Sequence, residues 1–175
     1  MPLECLPRPE ITEYAAFYAP YLAQVPEANA LPALEVQLDE VMPLLASISE
    51  EGAGHRYAPG KWSIRQLVGH LSDAERVFAY RLLRFSRADE TPLSGFDEDH
   101  FVAHGAYDGR TLMDLTAEFS HLREANLHMI RGLEPDMLTR FGLANGHAIT
   151  VRALAFVMVG HVRHHLGILK ERYLQ

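Results

Sequence analysis

The stretch from Thr150 to Tyr173 reads TVRALAFVMVGHVRHHLGILKERY, and its periodicity decides the fold class. Numbered by heptads, Val151, Leu154, Met158, His161, His165, Ile168 and Arg172 fall on one seam, the stripe of a helix that buries one face against other helices. Thr150 is a residue type that caps such a helix at its start. Two seam positions are histidines. His161 and His165 stand one turn apart on one face, with Cβ atoms ~5–6 Å apart, and imidazoles so placed can share one metal ion at ~2.0–2.1 Å. His164, about 100° round the helix from His165, is the rival ligand, because an i, i+3 pair also works; the heptad face favours His165.

The same period runs outward through the chain. Ser63 with Gln66 occupies the capping-box positions and predicts a helix over Ile64 to Ser86, its core face formed by Leu67, Leu71, Ala74, Val77, Phe78, Leu82 and Phe85. His70 shares that face and supplies a third ligand, with Asp73 or Glu75 available to hold its second ring nitrogen. Thr111, followed by Asp114, predicts a helix to about Gly132. Another runs from about Leu31 to Ser49 on Leu34, Leu38, Val41, Leu45 and Ile48, where Pro43 predicts a kink or a late start. Ile11 to Val25 reads as a short extra N-terminal helix. Glu51 to Gly60 is a glycine- and proline-rich connector, and a loop holding Asn145-Gly146 precedes the last helix. Arg87 to Arg110 is too long for a turn, and a connection of that length is more often functional than idle. Strand-type alternation is scarce. The expectation is an all-α four-helix bundle over residues 1–175, one domain, with the long connection between the second and third long helices.

Three neutral imidazoles buried in an apolar seam leave ring nitrogens unpaired, at ~1–3 kcal/mol for each lost hydrogen bond. A shared metal ion removes that cost from one nitrogen of each ring. The plainer alternative is that these are hydrogen-bonded core histidines, since the same spacing recurs by chance, as in His100 and His104 of the connection. His121 and His128 read as surface or core residues, and His55 and His147 as loop residues.

Composition narrows the class. The 175 residues carry 16 Lys and Arg against 23 Asp and Glu, a net charge of −7, with no basic run for nucleic-acid phosphates. The single cysteine, Cys5, pairs with nothing internally and fits a reducing compartment. The lead from Met1 to Pro9 lacks the basic and apolar regions of a signal peptide. The longest apolar run, Ala153 to Val159, falls far short of the ~20 residues that span a bilayer. The expectation is a cytoplasmic protein with no membrane and no nucleic-acid partner. GxSxG, P-loop, GxGxxG and HExxH motifs are all missing.

Two segments, Lys61-Trp62-Ser63-Ile64-Arg65-Gln66-Leu67-Val68-Gly69-His70-Leu71-Ser72-Asp73-Ala74-Glu75 and Gly160-His161-Val162-Arg163-His164-His165-Leu166-Gly167, together resemble the DinB-like family of metal-dependent proteins, which is unrelated to the DNA polymerase of similar name. The resemblance covers about Tyr18 to Leu174. It implies an up-down-down-up bundle, usually a homodimer, with a divalent ion, commonly nickel or zinc, on His70, His161 and His165. It also implies an activity: characterised relatives use low-molecular-weight thiols such as bacillithiol or mycothiol as S-transferases or isomerases. The expected function is therefore a metal-dependent thiol S-transferase acting on a small molecule, with the connection from Phe96 to His104 lining the pocket and Asp99, His100 or His104 accepting a proton. Metal-dependent hydrolysis is the alternative chemistry. A non-enzymatic role, as a metal-stapled stress-response or dimeric interaction protein, is the alternative class.

Overall fold

The structure, a computed structural model, describes residues 3–175; Met1 and Pro2, the start of the proline-rich lead, lie outside the described residues. Its elements are α1 (Ala19–Ala23), α2 (Ala30–Ala46), α3 (Ile64–Ser86), α4 (Glu98–His104), α5 (Leu112–Arg131), β1 (Phe141–Ala144), β2 (His147–Thr150) and α6 (Val151–Ile168). The four long helices are α2, α3, α5 and α6. Helix α3 packs against α5 and α6, and α2 packs against the same two, so α2 lies across the bundle from α3, and α5 from α6. No helix among the described residues is long and apolar enough to cross a membrane.

The caps sit where the sequence places them. The Ser63 hydroxyl accepts from the Gln66 amide at 3.1 Å and the Gln66 side chain accepts from the Ser63 amide at 3.1 Å, so α3 starts on a reciprocal capping box. Thr111 caps α5 and Thr150 caps α6. Helix α6 ends at Ile168, and one π turn, Leu169–Tyr173, completes the stretch to Tyr173. Helix α2 starts at Asn29, whose side chain accepts from the Leu31 amide, and passes through Pro43 to end within a turn of it.

Two expectations are corrected. The fold is mostly helical rather than all-α, because β1 and β2 pair antiparallel across Asn145-Gly146. Both turn residues have positive φ, 52° and 75°, as a two-residue hairpin turn of the mirror-image kind requires. The N-terminal helix over Ile11 to Val25 is instead two 3-10 turns, Ile11–Glu13 and Ala16–Tyr18, and the five-residue α1; the proline at its first turn and Pro26 beyond it leave little helix to propagate. The long connection contains α4, capped by Asp97, and is tied to the hairpin by Leu93 N to Leu143 O at 2.9 Å and Asn145 N to Leu93 O at 3.0 Å.

A polar layer divides the core. Leu34, Ala74, Leu127 and Val159 belong to one apolar cluster, and Val41, Leu71, Phe119 and Val162 to the other. Between them along the four helices lie buried Gln37, His70, Ser72, Glu75, Arg123 and His161. Arg123, fully buried, donates from Nε and Nη2 to Glu75 at 2.8 and 2.9 Å and from Nη1 to Gln37 at 2.6 Å. Gln37 in turn donates to the Val159 carbonyl at 2.9 Å, two residues before His161. A bidentate, doubly supported pair is the arrangement in which buried charges are tolerated.

Candidate metal centre

His70 enters from α3, two turns beyond the Ser63 cap, and His161 and His165 from α6. One donor atom of each lies within 4.8 Å of the others. His70 Nε2 and His161 Nε2 are 3.1 Å apart, inside the ~2.9–3.4 Å that separates two ligands each ~2.0–2.1 Å from one ion. His164 is turned to Tyr21, with ring centroids 5.7 Å apart, and is not among the three whose donors converge.

Aromatic side chains enclose the cluster. Trp62 lies 4.8 Å from His70 and is roughly parallel to His165 at 6.3 Å, Tyr21 lies 5.4 Å from His161, and Phe78 meets His161 edge-on at 5.3 Å. Trp62 is fixed at both ends: its indole donates to Asp99 at 3.0 Å and its carbonyl accepts from the Tyr173 hydroxyl at 2.8 Å. Gly160 lets α1 reach the site, since a Cβ there would stand 1.9 Å from the Tyr21 carbonyl oxygen.

Burial keeps the imidazoles neutral. It pushes His70 down to about 4, with the Asp99 charge opposing. Burial first, and then the neighbouring histidines, hold His161 and His165 well below the ordinary range. Neutral imidazoles with nitrogens facing one another are metal ligands in waiting, and the chemistry of the donor set fits a divalent ion. The carboxylates expected to hold the second nitrogen of His70 are taken by other partners. Asp73 accepts from the Tyr107 hydroxyl and Glu75 is committed to Arg123, so His70 Nδ1 is buried with no partner.

Two cavities meet the cluster. One, of about 240 Å³, is lined by Lys61, Trp62, Asp99, His165 and Tyr173. The other, of about 60 Å³, is lined by Tyr18, Tyr21, His70, Phe78, Arg81, Phe96, Glu98 and His161 among others. Phe96, Glu98 and Asp99 of the connection therefore line the site, whereas His100 and His104 lie against each other with tilted rings 4.2 Å apart, exposed and outside the cluster. Glu98 is exposed at the cavity rim, and partial desolvation there, followed by the charges of Asp99 and Asp97, raises its carboxyl. Tyr18 and Glu98 escape a reading by periodicity, because only the path of the N-terminal turns and of the connection brings them to the histidines, whereas Arg81 stands on α3 about three turns from His70, on the same face.

The model of the DinB superfamily matches residues 33–169, more than half of the chain. The chain belongs to the DinB superfamily. Its fold is similar to that of a solved structure, YfiT from Bacillus subtilis, described as a probable metal-dependent hydrolase with an unusual four-helix bundle topology; the TM-score is 0.73 at 20% identity, over 81% of this chain and 82% of that one. No curated protein matches this DinB superfamily member.

Proposed function

We propose that the protein is a divalent-metal-dependent enzyme whose ion is held by His70, His161 and His165, and that its reaction is hydrolysis. The convergence of three neutral imidazoles, those of His70 and His161 buried and that of His165 half-buried, carries the metal reading. Zinc or nickel suits such a donor set. A bound divalent ion supplies Lewis acidity and a nucleophile usable at neutral pH. Glu98 favours water as that nucleophile: it lines the cavity of His70 and His161 at its exposed rim, and its carboxyl, raised by partial desolvation there and by two acidic neighbours, accepts a proton at its oxygen more readily than an ordinary glutamate. Tyr21, Trp62 and Phe78 keep bulk water from the imidazoles. The similarity of fold to a protein described as a metal-dependent hydrolase supports the same choice.

The up-down-down-up order belongs to this proposal. Its support is the pairing of Ser63 with Asp108 and Arg76 with Glu118, which sets α3 and α5 parallel, and of Gln37 with Val159 and Arg163 with Glu40, which does the same for α2 and α6. A homodimer in the cytoplasm is proposed with it, on the family's habit and the lone Cys5. The test is a screen of small amides and esters in ¹⁸O-labelled water, with zinc or nickel, with and without a low-molecular-weight thiol. Label in the product and no need for thiol are expected. A product carrying the thiol, formed only in its presence, would assign S-transfer instead.

A further inference from the structure

Arg81 lies on α3 and lines the same cavity as His70 and His161, yet the histidine chemistry gives it no task. Its side chain is 4% exposed. It forms no ion pair among the described residues, and its one hydrogen bond runs from Nη2 to the Ser94 carbonyl at 3.2 Å. Tyr18, in the same cavity, is 1% exposed, and its hydroxyl is buried with no partner. The two are near enough that the guanidinium charge opposes the rise that burial imposes on the Tyr18 hydroxyl.

A guanidinium offers five N–H donors and is costly to bury without a counter-charge. A buried hydroxyl left unpaired also costs free energy, and native structures complete such groups with a partner. One chemical group completes both. A carboxylate is planar and singly charged, its two oxygens match the guanidinium fork, and lone pairs remain for a hydroxyl donor. Phosphate fits less well, because one cation faces it and Glu98 lines the same space. The cavity, about 60 Å³, has room for roughly four to six waters at ~10–15 Å³ each, which suits the carboxylate end of a molecule. Arg81, Gly95 and Phe96 also border an adjoining open cavity of about 390 Å³, which accommodates the rest.

We propose that the substrate of this site is a small organic carboxylate, its anionic end held by the Arg81 guanidinium and the Tyr18 hydroxyl beside the His70–His161 edge of the cavity. The inference rests on reading the histidine cluster as the reactive site, and it makes Arg81 a substrate-positioning residue.

Calorimetric titration with phenylacetate, its neutral counterpart phenylacetamide and inorganic phosphate tests it, on metal-loaded and on chelator-treated protein. Phenylacetate is expected to bind about ten-fold or more tighter than the amide and tighter than phosphate, in both forms of the protein. Arg81→Met is expected to abolish that preference, Arg81→Lys to keep part of it, and Tyr18→Phe, which removes only a hydroxyl, to weaken the acid several-fold. No binding of the acid, equal binding of acid and amide, a preference for phosphate, a preference confined to the metal-loaded protein, or one that survives Arg81→Met would overturn the proposal. The comparison of acid with amide on the parent protein needs no variant to fold. Failure of the protein to bind metal would sink the reading of the cluster and leave a carboxylate site without a reaction, whereas loss of the preference with metal bound sinks this inference alone.

Discussion

His70 is a histidine that the fold holds neutral. Its ordinary pKa of 6.5 is pushed by burial to about 4. As pH falls from 6.5, the unfolded chain takes up a proton here that the metal-free folded chain refuses until about pH 4. Stability from this residue is therefore fully present above 6.5 and declines by roughly 3 kcal/mol across that window. Denaturant unfolding of chelator-treated protein at pH 7 and pH 5 checks this: the parent is expected to lose stability on acidification, and His70→Leu to lose less. Equal losses would contradict it. The three histidines were legible in the sequence because a seam position is a local property. Their partners were not: Asp73 stands one turn from His70 and Glu75 nearby, but Tyr107 and Arg123, distant in sequence, claim those carboxylates. The heptad face favours His165 over His164, and the donors that converge in the structure are those of His70, His161 and His165.

Gly160 and Gly167 both lie on α6, and they separate packing from helix propensity. A Cβ at position 160 meets the Tyr21 carbonyl oxygen at 1.9 Å, backbone that a side-chain rotation cannot clear, whereas nothing lies within 4 Å of one at position 167. Gly160→Ala is expected to cost about 1–3 kcal/mol and to displace α1 from the cluster. Gly167→Ala should stabilise by up to ~1 kcal/mol. Thermal unfolding of the two variants measures both, and a Gly160→Ala protein as stable as the parent would show that α1 is not seated there. The elements themselves divide by length. Long helices with capping residues were readable to within a residue or two, as in Ile64–Ser86, whose bounds coincide with the expectation. The hairpin was missed because each strand is four residues, too short for alternation to register, although Asn145-Gly146 is the turn signal that marks it. The lead carried apolar aromatics at helical spacing, but its prolines break it into turns.

Across the whole molecule, the histidines and the Gln37–Glu75–Arg123 network form one polar layer between two apolar clusters. The network braces α2, α3 and α5 against α6 through the Val159 carbonyl, so the helices that carry the three ligands are held by charge-assisted bonds as well as by apolar packing. None of this pairing is visible in periodicity, because a polar residue on a core face reads the same whether its partner is a metal ion or an arginine dozens of residues away. Elemental analysis decides between those two readings of the histidines. It is made on protein purified without a chelating tag or added metal, beside His161→Ala and His164→Ala. Near-stoichiometric zinc or nickel in the parent and in His164→Ala, with its loss from His161→Ala, is the predicted result. No metal in the parent, with reconstitution by zinc and nickel also failing, would contradict the account.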